Sequence, residues 1–335
     1  MENEKKNSVS YPKAPNVVAA AKQVAVWDAL KSVLRRVMGG NLKAQLALLA
    51  CSALWGASFI FTKDLFNNTP HITTLVIITG RMLVASLCFV PYMLLTHRLP
   101  HLGVKDIGFF LLLAFFEPFL YSLCETNGVA LVSGSLSAII IALIPLLVPF
   151  AMAAFMHENL HGREVVGIVI SLFGIALTII GPGFTLNASP RGLLLLSGAV
   201  VIAIAYTMVL SKVLDRYHPF VITCYQNLIA FFYFLPLLLL RDRDTLSIIT
   251  FTPRMVLSIV FLGLFCSTLA YVCYNYGMRA VGATRACAYN NLIPVFSLIL
   301  ALLIGQEQLS LMNVLGMIVV VAGLFVAQKQ GNTMC

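Results

Sequence analysis

The amino-acid sequence predicts an all-α integral membrane protein, with ten transmembrane helices arranged as two inverted five-helix repeats. Three observations carry that expectation. Of the 335 residues, 60% are hydrophobic and only 10% charged, and mean hydropathy is +0.93; a soluble domain carries roughly 25% charged residues. The apolar residues also fall in long continuous runs. Helices of about 20 such residues satisfy their own backbone in lipid, whereas an alternating pattern would mark strands. Finally, the chain contains itself twice. A slide of 149 residues sets Gly128 on Gly277, Leu143-Ile144-Pro145 on Leu292-Ile293-Pro294, Glu158 on Glu307, Gly167 on Gly316 and Gly174 on Gly323. Residues 116–174 match 265–323 at 13 of 59 ungapped positions, and the register extends back to Lys63 on Lys212 and Pro70 on Pro219. Coincident Pro, Glu and Gly are not what a greasy composition yields by chance, so the chain reads as a duplicated unit.

Taken in order, residues 1–41 form a tail. Val17, Ala21, Val24, Leu30, Val33, Leu34 and Val37 recur near helical spacing among Lys22, Lys31, Arg35 and Arg36. That pattern suits a basic amphipathic helix on a membrane surface; a dispensable leader ahead of Met38 is the alternative. Apolar spans follow at 43–63, 72–95, 107–124, 135–156 and 164–180, then at 192–210, 220–240, 255–276, 286–305 and 309–327. The domains are therefore a first repeat at 42–182, a second at 183–328, and a short tail at 329–335. If the N-terminus is cytoplasmic, 16 Lys and Arg fall inside, 5 fall outside, and Arg81 alone lies within a span. The positive-inside bias puts both termini in the cytoplasm of a multi-pass protein of the cell (inner) membrane. Five spans per unit invert the second copy, and that symmetry supplies two nearly equivalent states, open to opposite sides.

The residues resemble the EamA-type branch of the drug/metabolite transporter superfamily. Leu54-Trp55-Gly56-Ala57-Ser58-Phe59, Arg81, the prolines Pro145 and Pro294, the Glu158 and Glu307 turns, and the Gly-bearing fifth and tenth spans carry the resemblance, over about 42–328. It implies a ten-helix carrier that moves small organic molecules, such as amino acids or related compounds, often outward, through a cavity between the repeats. Glu117 and Glu125 depart from the neutral or aromatic residues of many members, which leaves substrate charge and coupling open.

The polar groups inside the spans are the candidate site. Arg81 lies roughly 13 Å down a span that starts outside, and Glu117 roughly 15 Å up one that starts inside. A charge at that depth costs at least about 2.5–3.5 kcal/mol and calls for a wet cavity or a partner. Arg81 would hold a substrate carboxylate and Glu117 a proton, or the two form a buried structural ion pair. Glu125 is a coupling or gating candidate. Pro118 should kink the third span, and Pro145 and Pro294, mid-span, should free the carbonyls of Ile141 and Asn290. Asn290 and Asn291, Gln226 and Asn227, Asn275, and the rings of Trp55, Tyr121 and Tyr271 complete a set of substrate-binding candidates suited to a small organic ligand. The alternative for the amides is interhelical glue.

The same chain offers two other classes. His157-Glu158-Asn159-Leu160-His161 matches the zinc-protease pattern H-E-x-x-H, but the twin site at Gln306-Glu307-Gln308-Leu309-Ser310 keeps only the Glu. A shared Glu suits helix-end structure better than a metal, so neither catalysis, a metal nor a cofactor is expected. A channel is the second alternative. No GxxxxGK[ST] run marks an ATP-driven pump. Seven of the eight Cys sit in apolar runs without a CxxC pair, as small filler. Net charge of +9 reflects loops facing anionic lipid rather than nucleic acid. Expected partners are thus a small-molecule substrate and the bilayer; glycine faces at Gly167, Gly174 and Gly181 or at Gly316 and Gly323 permit close packing, either within the chain or as the seam of a possible homodimer. Tags near residues 130 and 280 should be accessible from opposite compartments; labelling of both from one side would defeat the inverted repeat.

Overall fold

The computed structural model describes residues 41–97, 100, 103–129, 131, 140–141, 143–179, 189–303 and 311–328. The amphipathic tail, Glu307 and Gly181 lie outside them. Among the described residues every regular element is helical. In chain order these are α1 (Leu42–Asn68), α2 (Thr74–Leu95), α3 (Val104–Ala114) and α4 (Tyr121–Val129), α5 (Leu143–Met156), α6 (Gly162–Ile179), α7 (Pro190–Leu214), α8 (Pro219–Arg241), α9 (Arg243–Ile248), α10 (Pro253–Phe261) and α11 (Ala270–Val281), α12 (Ala283–Ala288), α13 (Ile293–Leu303) and α14 (Leu311–Gln328). Caps set several starts. The Thr73 side chain accepts from Val76 N, and Thr252 accepts from Met255 N beside Pro253. Pro190 and Pro219 open α7 and α8, where a missing N–H costs nothing.

Six helical stretches among the described residues are long and apolar enough to cross a membrane: Leu42–Asn68, Thr74–Leu95, Asp106–Gly128, Pro190–Leu214, Pro219–Arg241 and Pro253–Val281. Helices also occupy the other four expected spans: α5, α6, α13 and α14, of 14, 18, 11 and 18 residues. The outward surface is apolar, with Leu240, Leu95, Leu194 and Leu257 exposed. Such a surface is at home in lipid and not in water.

The third and eighth spans are each interrupted. A π-helical segment, Phe115–Leu120, joins α3 to α4 and another, Leu262–Leu269, joins α10 to α11. Shifted by 149, the first falls on 264–269, inside the second. Glu117 leaves the helical region altogether, at φ −140° and ψ 123°, so the kink expected at Pro118 is present. Pro294, in the ninth expected span, behaves differently from expectation: it is the second residue of α13, after a 3₁₀ turn at Tyr289–Leu292. The Asn290 carbonyl is not freed either; it accepts from Ile293 N. Pro294 starts a helix after a break rather than bending a running one. Pro145 lies within α5, and residues 140 and 141 before it are also helical.

Contacts across the two halves come in reciprocal pairs. α1 packs on α11 and α7 on α4, the corresponding helices with their halves exchanged. A Cβ on Gly277 would lie 2.3 Å from Leu48 Cγ, and one on Gly128 would lie 2.8 Å from Leu196 Cγ. The fullest pairing is α6 with α14, the fifth helix against its own copy. Gly167 abuts Gly323 and Ala327, while Gly174 abuts Gly316 and Val320, so the pair runs antiparallel. Ser171 Oγ donates to Val320 O at 3.2 Å, between residues 149 apart. A two-fold relation between the halves must therefore pass through this crossing, halfway along both helices. Built Cβ atoms here fall on backbone that has nowhere to go: 2.4 Å from Ala327 N at Gly167, and 2.5 Å from Ser171 N at Gly323. Gly167→Val or Gly323→Val should therefore destabilise the fold by about 1–3 kcal/mol or more, the cost of overpacking, read as a lower thermal midpoint in detergent. Gly198→Val, with open space around it, should change it little.

Candidate binding cavity

A cavity of about 470 Å³ lies between the halves, walled by α1, α2, the first π segment, α4 and α5 on one side and by α7, α11 and the α12–α13 break on the other. Its chemistry is divided. Arg81, Glu117 and Glu125 bring charge, all from the first half. Asn290 and Asn291 bring amides from the second. Trp55, Tyr121, Tyr206, Tyr271 and Tyr274 form an aromatic wall, and Ser58, Ser122, Thr207 and Ser297 add hydroxyls.

Each charged group reaches the cavity for a local reason. The extended conformation of Glu117 turns its carboxylate inward, where Oε1 accepts from Tyr271 OH at 2.8 Å. Its own carbonyl, out of the helical ladder, accepts from Gln226 Nε2 at 2.8 Å. Arg81 Nε donates to Ser267 Oγ at 3.1 Å. Gly263 permits that approach: a Cβ there would lie 2.9 Å from Arg81 O. Arg81 and Glu117 thus share one cavity without an ion pair between them. The terminal guanidinium nitrogens have no hydrogen-bond acceptor among the described residues. Among the described residues, Glu125 accepts only the long contact from Thr126 Oγ1, 3.5 Å. Buried and unpartnered besides are Asn290 Oδ1 and Asn291 Nδ2. Charges and amides left without protein partners are the groups a polar ligand would satisfy.

Trp55 both lines the cavity and packs. Its Nε1 donates to Cys266 O at 3.2 Å, and its ring sits 5.2 Å from both Tyr271 and Tyr274. Gly56 beside it lets α1 lie against α13, since a Cβ would fall 2.9 Å from Ser297 N. Pro145 and Pro294 also line the cavity.

Three expected site residues stand behind the wall instead. Gln226 reaches Glu117 O and, at 3.4 Å, Tyr206 OH; Asn227 Nδ2 donates to Ser267 O at 2.8 Å; Asn275 Nδ2 donates to Thr223 Oγ1 at 3.1 Å. Tyr206 and Thr207 escaped sequence reasoning, although a Tyr-Thr pair in the middle of Ala, Ile and Val was a visible signal. Ser267, the partner of Arg81, carried none.

The H-E-x-x-H stretch is not helical. Residues 157–161 form the link between α5 and α6, with His157 at φ 55°. The i, i+4 face that two zinc-binding His need is absent there. Glu158 instead accepts from Thr284 Oγ1 at 3.1 Å, near the start of α12, and Glu164 takes Arg285 Nε at 3.0 Å.

A sequence model described as the EamA-like transporter family matches residues 42–180 and again 190–328. An uncharacterized transporter of Archaeoglobus fulgidus is 25% identical over 289 residues, covering 86% of this chain and all of that protein. The uncharacterized transporter YetK of Bacillus subtilis is 24% identical over 295 residues, 85% of this chain and 87% of its own. A crystal structure of a protein 17% identical in sequence superposes with a TM-score of 0.73, over 85% of this chain and 97% of that one. At that identity it bears on the fold alone.

The cavity makes a geometric prediction of its own. In a background without native cysteines, Ser58→Cys and Ser122→Cys should react with a water-soluble methanethiosulfonate. Ser258→Cys, at a buried position away from the cavity, should stay unreactive over the same time.

Proposed function

The chain belongs to the EamA-like transporter family, and from that premise we propose that it is a secondary active carrier exporting a small organic metabolite, such as an amino acid or a related compound, by alternating access. The single observation that carries this reading is the cavity between the halves, with two carboxylates, a guanidinium whose terminal nitrogens have no acceptor among the described residues, and two amides each with one buried atom unpartnered there. Arg81 takes the substrate carboxylate. Glu117, tied to Tyr271, takes a proton or the substrate's ammonium, and Glu125 guards the cavity's other carboxylate position. Tyr121, Tyr271 and Trp55 supply rings, Asn290 and Asn291 take the remaining polar atoms, and Gln226, Asn227 and Asn275 act from behind.

The reciprocal helix contacts support two inverted repeats, at 42–182 and 183–328, with ten spans in all. Equivalent helices related by an axis along the membrane normal would run parallel; α6 and α14 run antiparallel. The excess of Lys and Arg on one set of loops supports cytoplasmic termini in the cell (inner) membrane. Alternating access then exchanges the two halves around one fixed cavity. Neither a cofactor nor a catalytic step enters this reading.

The test is counterflow of labelled amino acids in proteoliposomes, after a resistance and efflux screen with the gene overexpressed. Arg81→Gln and Glu117→Gln should each lower transport at limiting substrate about ten- to a hundred-fold, the effect of losing a hydrogen bond to a charge worth about 1.5–3 kcal/mol. Normally inserted variants that both transport at the parental rate would sink the proposal.

A further inference from the structure

Two interrupted helices meet at the cavity, and one uninterrupted helix, α8, holds both. Gln226 and Asn227 are neighbours on α8, 1% and 3% exposed. Successive residues on a helix point about 100° apart, so the two amides reach different helices. Gln226 Nε2 donates to Glu117 O in the first π segment, and Asn227 Nδ2 donates to Ser267 O in the second. The circuit then closes through the cavity. Glu117 Oε1 accepts from Tyr271 OH, and Tyr271 follows Ser267 by one helical turn. Arg81 hangs on this circuit through Ser267 Oγ, and Trp55 through the neighbouring Cys266 O. Gln226 leaves its own Oε1 buried without a partner. Its donor end is the half in use.

We propose that Gln226 and Asn227 are positioning residues. They lock the two π segments into one register and thereby fix where Glu117 and Arg81 stand relative to each other across the cavity. Neither touches substrate. When one kinked helix shifts against α8, the donor on that side must let go or follow, so the two segments move together rather than separately. This rests on the reading of the cavity as the substrate site.

Trp55 reports the register without any substrate, because its indole N–H is bound to the second π segment and its ring rests on Tyr271. Trp27→Phe leaves it the sole tryptophan of two. In that background, in detergent, Gln226→Met and Asn227→Leu should each shift Trp55 emission to the red and increase its quenching by acrylamide. Thr223→Val removes another buried bond of the same helix, to Asn275, and should leave both readings at the parental value. If a larger replacement does not fold, Gln226→Ala and Asn227→Ala are read the same way. Parental emission in the 226 and 227 variants, or an equal shift in Thr223→Val, overturns the proposal. Absence of counterflow from the parental protein, with Trp55 responding as expected in the variants, would count against the transport reading alone.

Discussion

A helix that bends inside hydrocarbon strands carbonyl groups where no water can reach them. Each costs about 2–7 kcal/mol if left alone, and the rest of this structure depends on how that constraint is met. The α3–α4 and α10–α11 spans bend at positions equivalent in the two copies. The carbonyls of Glu117 and Cys266, 149 residues apart, are each taken by a side-chain N–H, from Gln226 and from Trp55. The bends are tolerable because those donors exist. In turn, the bends open the space between the halves and turn Glu117 into it. Cavity, charge placement and buried amides are consequences of the same unsatisfied carbonyls.

The frame is two-fold, but its chemistry is not. At the positions equivalent to Arg81, Glu117 and Glu125 stand Ala230, Cys266 and Tyr274, and the equivalents of Asn290 and Asn291 are Ile141 and Ala142. One copy kept or acquired the charges, the other the amides. A symmetric scaffold allows two equivalent open states, while an asymmetric lining lets one site hold a ligand with unlike ends. Both features follow from duplication and divergence, and neither needs a loop or a lid.

Much of this was legible in the sequence, for physical reasons. A duplication that keeps Gly keeps the places where backbones touch, so Gly167, Gly174, Gly316 and Gly323 marked faces for close packing within the chain or between copies, and the structure packs the two faces on each other at the α6–α14 seam. Intramembrane charge is so costly that Arg81 and Glu117 called for either a shared cavity or an ion pair, and the structure gives the cavity without the pair. The amides were harder. Gln226, Asn227 and Asn275 are as polar as Asn290 and Asn291, and no local pattern separates an amide that faces a cavity from one that caps a carbonyl behind it; the π segments decide, and π geometry has no sequence signature. His157 and His161 misled for the opposite reason. The spacing was right for a metal, but Met156 ends α5 and the helical face that spacing requires never forms.

Energetics divides the molecule into parts that hold and parts that part easily. At one end Asp64 pairs with Arg254, at the other Asp106 with Arg216, joining corresponding helices with the signs of charge exchanged. Both arginines are about two-thirds exposed, 64% and 65%, so screening reduces each pair to about 0–1 kcal/mol. The Glu164–Arg285 pair is more buried, at 8% and 29% exposure, and its equivalents by sequence are Asn313 and Leu136, which cannot pair. Among the described residues this tie has no counterpart at the sequence-equivalent positions. Against these stands the α6–α14 crossing, close-packed backbone on backbone, where a single added methyl has no room. On the proposed mechanism the crossing is the pivot and the rims are what separates, and the unmatched Glu164–Arg285 tie makes two otherwise equivalent states unequal in energy, favouring the one closed at its own end.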